Sequence, residues 1–317
     1  MNALERAAAG AGVLIHAGSV RTMIGPPSES RLRDAVEGKV VLVTGASAGV
    51  GKAVARAVGA AGATVLLVAR SADKLTDLQA EIVSGGGRAQ SYPCDMSDVE
   101  AVEAMAARVL ADHGAVDVVV NNAGKSIRRS LELSYDRYRD FDRTIAVNYN
   151  GPVRLMLSLL PAMREQGDGH VVNISTLGVQ NPSPRYSAYL ASKAAFDTWV
   201  RCVGPELRGD GIDFTSMYFG LVHTRMSAAT VMYRYMPGLT PAKAADDVCW
   251  ALVRRPLTAG PSWAKWMGVF SDVARGPVDR LLGAYYRASN DSASAGGDGD
   301  IEIPVLGAWL ERAGLRR

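Results

Sequence analysis

The stretch Val40-Val41-Leu42-Val43-Thr44-Gly45-Ala46-Ser47-Ala48-Gly49-Val50-Gly51 decides the fold. Its first five residues are β-branched or aliphatic with no polar alternation, which suits a strand buried on both faces. The glycines and small residues that follow lead into a helical pattern at 50–61. Gly45 permits a sharp turn, Gly49 lets main chain approach a pyrophosphate, and Gly51 lets the helix sit close to the sheet. Free N–H groups and the positive end of the helix dipole would then face an anion, so Ser47, Ala48 and Val50 join the three glycines as candidate cofactor contacts. The glycine spacing differs from the GxGxxG fingerprint, and an ordinary strand-to-helix turn is the competing reading. Its place at the first βα junction favours phosphate binding.

Working outward, similar apolar runs recur at Thr64–Ala69, 117–121, 170–175 and 213–218, with Arg88–Pro93 a weaker sixth. Helix-length segments separate them, at Ala72–Ser84, Val99–His113, 135–164 and 187–208. This alternation predicts an α/β fold, a Rossmann-type doubly wound parallel sheet with ligands at the carboxyl ends of its strands. We expect a single domain: an N-terminal extension over 1–37, the sheet-bearing domain over 38–260, and a helical C-terminal extension over 261–317. A Ser/Gly/Asp-rich linker at 290–300 breaks the last part and reads as mobile.

Apolar residues make up 48% of the 317, enough for a sheet covered on both faces, and the formal charge is only +3. No basic stripe stands out, so nucleic acid is not an expected partner. Cys94, Cys202 and Cys249 lie far apart without a CxxC pair. Each reads as a small buried apolar residue in a reducing, cytoplasmic setting, with neither a disulfide nor a metal site. No apolar run reaches the roughly 18 residues that a membrane span requires. Residues 7–20 are glycine-rich and read as a flexible or docked arm rather than a signal peptide. The segment 261–287 carries Trp263, Trp266, Met267, Phe270, Tyr285 and Tyr286. It reads as helices packed on the domain, with a substrate lid or a membrane-peripheral surface as alternatives.

The second strand ends in Arg70-Ser71, where a doubly wound fold faces the adenosine ribose. An acidic residue there would bind the ribose 2′-OH, whereas an arginine pairs with a 2′-phosphate. NADP(H) is therefore preferred, with NAD(H) as the alternative. Asp95 and Met96 follow the third strand; Asp95 reads as an acceptor for the adenine amino group or, like Ser97, as a helix cap. Tyr189 and Lys193 stand four residues apart on one helical face. A free phenol, with a pKa of about 10, holds its proton too tightly to take and give it at neutral pH, and a nearby ammonium lowers that value. Tyr186 is a rival phenol, but Leu190 stands where its lysine would be. Ser175 and Thr176 end the preceding strand, in reach of a substrate oxygen. Asn148, in the long preceding helix, either links Lys193 to water or bonds main chain as a buried amide.

Together with Asn121-Asn122-Ala123-Gly124, these motifs resemble the short-chain dehydrogenase/reductase family in order and spacing over 39–256. The resemblance implies a nicotinamide cofactor, hydride transfer at a carbonyl or alcohol, and Asn122, Ala123 and Gly124 along the adenosine side of the cofactor. It also implies a homo-oligomer built on the two long helices flanking the fifth strand. Ser126-Ile127-Arg128-Arg129-Ser130, Asn148-Tyr149-Asn150-Gly151, Gly169-His170-Val171-Val172-Asn173 and Pro184-Arg185-Tyr186-Ser187-Ala188-Tyr189 are similar to the reductase domain of bacterial fatty acyl-CoA reductases and their actinobacterial relatives. An apolar, long-chain acyl or keto substrate follows from that likeness. Arg128 and Arg129 read as solvated loop arginines, with an anionic substrate portion as the alternative.

Two departures bear on catalysis. The family's catalytic serine stands thirteen residues before the tyrosine, where this chain has Thr176. Ser175 is one residue early, and on an extended strand it points to the other face. A threonine hydroxyl donates the same bond, so Thr176 is the first choice and Ser175 the second. The run Phe219-Gly220-Leu221-Val222-His223-Thr224 stands where the family has Pro-Gly before x-Val-x-Thr. That alignment implies Gly220 in the loop, Val222 main chain at the nicotinamide carboxamide and Thr224 at a phosphate. Two rival readings stand beside the reductase: a dehydrogenase of bulky, steroid-like alcohols, and an NADPH-binding protein with weak catalysis.

Overall fold

The computed structural model describes residues 27–291, so the arm at 7–20 and the tail beyond 300 lie outside the described residues. Seven strands, β1 (Val40–Thr44), β2 (Thr64–Ala69), β3 (Arg88–Pro93), β4 (Val118–Asn121), β5 (Gly169–Thr176), β6 (Ile212–Phe219) and β7 (Thr258–Ala259), pair in parallel in the order β3-β2-β1-β4-β5-β6-β7. The doubly wound sheet is thus as expected. Strand order reverses between β1 and β4, the place where such sheets open a crevice at their carboxyl ends. Only β7 escaped the pattern, because two residues carry no periodicity.

Helices cover both faces. In chain order they are α1 (Glu29–Val36), α2 (Gly49–Ala60), α3 (Ala72–Ser84), α4 (Val99–His113), α5 (Arg139–Ile145), α6 (Gly151–Gln166), α7 (Leu177–Gln180), α8 (Ser187–Leu207), α9 (Pro241–Arg254), α10 (Ser262–Val273) and α11 (Arg275–Arg287). Side chains alternate along β1, so Val41 and Val43 join one core with Val54 and Val58 of α2 and Val248 of α9. Leu42 joins the other, with Val102 of α4, Leu155 of α6 and Phe196 of α8. That two-sided burial is why β1 reads as a continuous apolar run. The cap of α4 is Asp98, which accepts from Glu100 N–H (3.1 Å) and Ala101 N–H (3.0 Å), rather than Asp95 or Ser97.

The single helix expected over 135–164 is three pieces. Between α5 and α6 lies a π-helical turn, Ala146–Asn150, closed by Gly151 N–H on the Ala146 carbonyl. Pro152 has no N–H to give, so the hydrogen-bond ladder resets there. At the C-terminal end, α10 buries Ala264 and Gly268 but leaves Trp266, Val269, Phe270 and Val273 exposed along one stripe. It packs on α7, with Asn181 Nδ2 donating to Ala264 O at 3.0 Å. The packed-helix reading thus holds for one face of this helix, while its opposite face is exposed. Among the described residues no helix is long and apolar enough to cross a membrane, and no group of three or more His, Cys, Asp or Glu gathers to hold a metal. Cys94 and Cys249 are buried, whereas Cys202 is exposed on α8, contrary to the expectation for it.

Candidate active site

A cavity of about 600 Å³ opens at the switch point. One end of it is made of bare peptide. Gly45, at φ +68°, occupies the left-handed region, and a Cβ there would stand 2.8 Å from Asn122 Nδ2. At Gly51 a Cβ would fall 2.5 Å from both Gly45 O and Asn122 Nδ2, so only glycine lets α2 approach this closely. Thr44 ties the loop to the next one: its Oγ1 accepts from the N–H groups of Asn122 (3.0 Å) and Ala123 (2.9 Å), while Asn122 Nδ2 donates to Thr44 O (2.9 Å). Gly45, Ala48, Gly49, Val50, Asn122, Ala123 and Gly124 line the cavity, while Ser47 sits in the turn. The N-cap of α2 is Ala48, which offers no side-chain cap, and no acidic residue stands in the first turn. The opening N–H donors of α2 therefore have no side chain to satisfy them, and this fits a bound pyrophosphate.

The adenosine end is more open. Arg70 is exposed, and its Nη1 lies 3.8 Å from Asp95 Oδ2, a loose pairing that leaves the guanidinium available. Asp95 Oδ1 accepts from Ser97 N–H (2.9 Å) and Ser97 Oγ (2.7 Å). Burial works to raise the Asp95 pKa, but the bonds from Ser97 and the charge of Arg70 hold it below the usual carboxylate range. Ser71 occupies the N-cap position of α3 without a side-chain bond, and Met96 is buried.

At the other end, Tyr189 and Lys193 rise from α8 to meet the end of β5. Contrary to the lowering expected from the ammonium four residues on, burial pushes the Tyr189 phenol up to about 12, opposed only by a hydrogen bond with Thr176. Lys193 is pulled down to about 8 by burial alone, and its Nζ donates to Ile174 O at 2.9 Å. Thr176 also accepts from Gly178 N–H at 3.3 Å, which fixes its rotamer toward the cavity. The Ser175 hydroxyl is buried and has no hydrogen-bond partner among the described residues. Of the two candidate hydroxyls, the structure brings Thr176 to the phenol.

Asn148 sits on the π-helical turn, whose extra residue rotates it inward. Its Oδ1 accepts from Lys125 N–H, and its Nδ2 donates to Lys125 O and to Ser192 Oγ, each at 2.9 Å. It is thus a buried amide bonded largely to main chain, and the ammonium of Lys193 is held by Ile174 instead. Both groups nevertheless close on one spot: a Cβ at Gly124 would lie 3.1 Å from Asn148 Oδ1 and 3.3 Å from Lys193 Nζ. In the loop after β6, Gly220, Val222 and Thr224 line the cavity. His223 N–H and Leu221 O bond Leu239 there, which leaves the peptide groups of Val222 outside the bridge. Phe219 is buried in the position of the expected proline.

Several site features were not foreseen. Thr44 and Ser192 are hydrogen-bond hubs whose only signal was a polar residue inside an apolar strand or helix pattern. Tyr186, set aside for want of a lysine, lines the cavity and hydrogen-bonds Tyr233 through its hydroxyl. Arg128 and Arg129 are not solvated loop arginines: Arg128 is 9% exposed, and Arg129 pairs with the buried Asp140 at 3.0 Å.

Comparison with known proteins places this geometry. A family model described as short chain dehydrogenase matches residues 39–232. A fatty acyl-CoA reductase of Acinetobacter baylyi is 46% identical over 228 residues, 72% of this chain and 77% of the relative. An uncharacterized oxidoreductase of Mycobacterium tuberculosis is 43% identical over 281 residues, 88% of this chain and 82% of that one. Among solved structures, a metagenomic short-chain oxidoreductase in complex with NADP superposes with a TM-score of 0.60 at 36% identity, covering 70% of this chain and 93% of its own.

Proposed function

Because this chain belongs to the short-chain dehydrogenase family, we propose that it is an NADPH-dependent reductase of a carbonyl on an apolar acyl or keto chain, with an acyl thioester favoured. One observation carries this reading: Thr176, Tyr189 and Lys193 meet in the same cavity as the bare-peptide cradle. The acyl side is supported by likeness to the Acinetobacter fatty acyl-CoA reductase, and NADPH by Arg70 together with the NADP-bound neighbour.

When bound, the nicotinamide supplies the hydride that the carbonyl carbon accepts. Tyr189 and Thr176 would hydrogen-bond the carbonyl oxygen, and as charge gathers there the phenol would transfer its proton to it. A keto chain then leaves as the alcohol, whereas a thioester becomes a hemithioacetal whose C–S bond breaks, the hydroxyl proton leaving with the thiol as the aldehyde forms. Burial keeps the Tyr189 phenol protonated at neutral pH, as a proton donor must be. Lys193 stabilises the phenolate left behind. The N–H groups at the start of α2 hold the pyrophosphate, Arg70 the 2′-phosphate, and Val222 main chain the carboxamide; Asn148 fixes the Gly124–Lys125 peptide against them. Assembly through α6 and α8 and membrane contact through the exposed stripe of α10 belong to the same proposal.

Replacing Tyr189 with Phe tests it. NADPH binding, followed by nicotinamide fluorescence, should stay within about twofold. Turnover of decanal or a decanoyl thioester should fall roughly 10³-fold. Turnover within tenfold of the parent would overturn the assignment.

A further inference from the structure

The cavity wall is unbalanced in charge. Besides Lys193, six cationic side chains line it, against the single carboxylate of Asp140. Arg129 and Arg137 share Asp140, at 3.0 and 3.7 Å. Arg128 is tied to the C-terminal segment, donating from Nη2 to Asn290 O at 2.9 Å while its buried Nη1 has no partner among the described residues, and Arg225, also without an ion pair there, adjoins Thr224 on the side assigned to the cofactor. Lys125 and Arg143 remain, and neither has an acidic partner in an ion pair among the described residues.

Both stand on a rigid frame. The main chain of Lys125 is gripped on both sides by Asn148, and Arg143 lies on α5, less than two turns before that residue. Burial lowers the Lys125 ammonium below its usual range, and Arg143 and then Arg70 press it further down, only partly offset by Asp140 and Asp95. Of the two carboxylates that act on Lys125, Asp140 is already shared by Arg129 and Arg137 and Asp95 is bonded by Ser97, so the like charges have no carboxylate of their own. A folded protein keeps such a cluster in a cavity wall at a cost in self-repulsion, and a bound anion removes that cost.

We propose that Lys125 and Arg143 form a phosphate subsite in the wall of the cavity that takes the phosphorylated carrier of an acyl thioester. The inference rests on the reductase reading above. The shared chemistry is phosphate, and the second source of it is the cofactor's own 2′-phosphate, since Arg70 also faces Lys125.

The test uses the full chain, Arg143→Glu and Lys125→Met. With NADP⁺ saturating, calorimetric binding of adenosine 3′,5′-bisphosphate, the carrier's head without acyl chain or thiol, reads the subsite directly. The parent should bind it and each variant should bind about fivefold or more weakly, as expected for loss of one charge-assisted phosphate contact. Steady-state rates then separate the sources. The KM for decanoyl-CoA should rise about fivefold in the variants, and that for the N-acetylcysteamine thioester of decanoate should not move. In the parent the KM for decanoyl-CoA should also climb with salt, and in the variants less so. No binding of the bisphosphate, an equal rise for both thioesters, or a rise confined to the KM for NADPH would each overturn the proposal. Binding of the bisphosphate with no turnover of any carbonyl would uphold the subsite and sink the reductase reading instead.

Discussion

Replacing Lys193 with Met isolates what the site costs the fold. The side chain is 6% exposed, and burial drops its pKa from 10.5 to about 8. Each tenfold change in proton affinity is worth about 1.4 kcal/mol, so the charged lysine destabilises the native state by about 3 kcal/mol at neutral pH. Methionine removes the charge and fills similar space, but leaves Ile174 O without its donor, a loss of about 1 kcal/mol. The variant should therefore be more stable by about 2 kcal/mol near pH 7 while losing turnover. The pH dependence carries the sharper signature. The folded-state pKa lies below the unfolded one, so below about 8 both states of the parent hold the proton and the penalty is complete. Between about 8 and 10.5 the folded chain sheds its proton first, and the parent gains stability relative to the variant. Urea unfolding of both proteins without cofactor, at several pH values across that window, measures the gap. A difference that stays constant across the window would refute the buried charge.

Other outcomes follow from the same geometry. Thr176→Val removes the hydroxyl that reaches Tyr189 and should lower kcat about 10²-fold with NADPH affinity unchanged, whereas Thr176→Ser should retain most activity; equal rates for Val and Ser would exclude Thr176 from the chemistry. Gly45→Ala forces a side chain into φ +68° and against Asn122, so NADPH titration should show at least tenfold weaker binding. Arg70→Asp should shift the ratio of kcat/KM for NADPH over NADH by about 10²-fold toward NADH, and an equal loss with both cofactors would remove Arg70 from the 2′-phosphate. NADPH-driven reduction should decline as pH rises through about 8, where Lys193 loses its charge; a rate that is flat well above that point would show the charge to be unnecessary.

The sheet was legible because each buried strand leaves the same local mark, a short apolar run ending at a glycine or polar residue. The glycine cradle was legible for the same kind of reason: Gly45 and Gly51 answer to contacts made within one βα unit and its neighbour. Asn148 was visible as a residue but not as a geometry. Its orientation comes from the π-helical turn, and the one clue was Pro152 in the middle of an apparent helix of 30 residues. Arg128, Arg129 and Tyr186 were misjudged or set aside because their burial depends on partners far away in sequence. Asp140, Asn290 and Tyr233 are not predictable from local pattern.

That distant dependence has a structural centre. Arg185, two residues before α8 begins, takes φ +71°, a conformation that disfavours any residue with a Cβ. Its guanidinium is almost wholly buried and holds Ser289 Oγ (2.7 Å), Ser289 O (2.6 Å) and Asp291 (3.3 Å), with its charge over the Tyr286 ring. Its carbonyl accepts from Arg129 N–H at 2.7 Å, and Ser130 N–H reaches the same Asp291 at 2.8 Å. The loop that leads into the Tyr189 helix and the loop that carries Arg128 are therefore fastened to each other and to residues 286–291. Those residues lie beyond the stretch that the family model matches, 39–232. The strain at Arg185 persists because this clasp over-determines it. The start of α8 is thus held by chain from the expected helical extension, Tyr286 and Ser289, and by Asp291 of the stretch that reads as a linker, so packing runs across the boundary expected at 260.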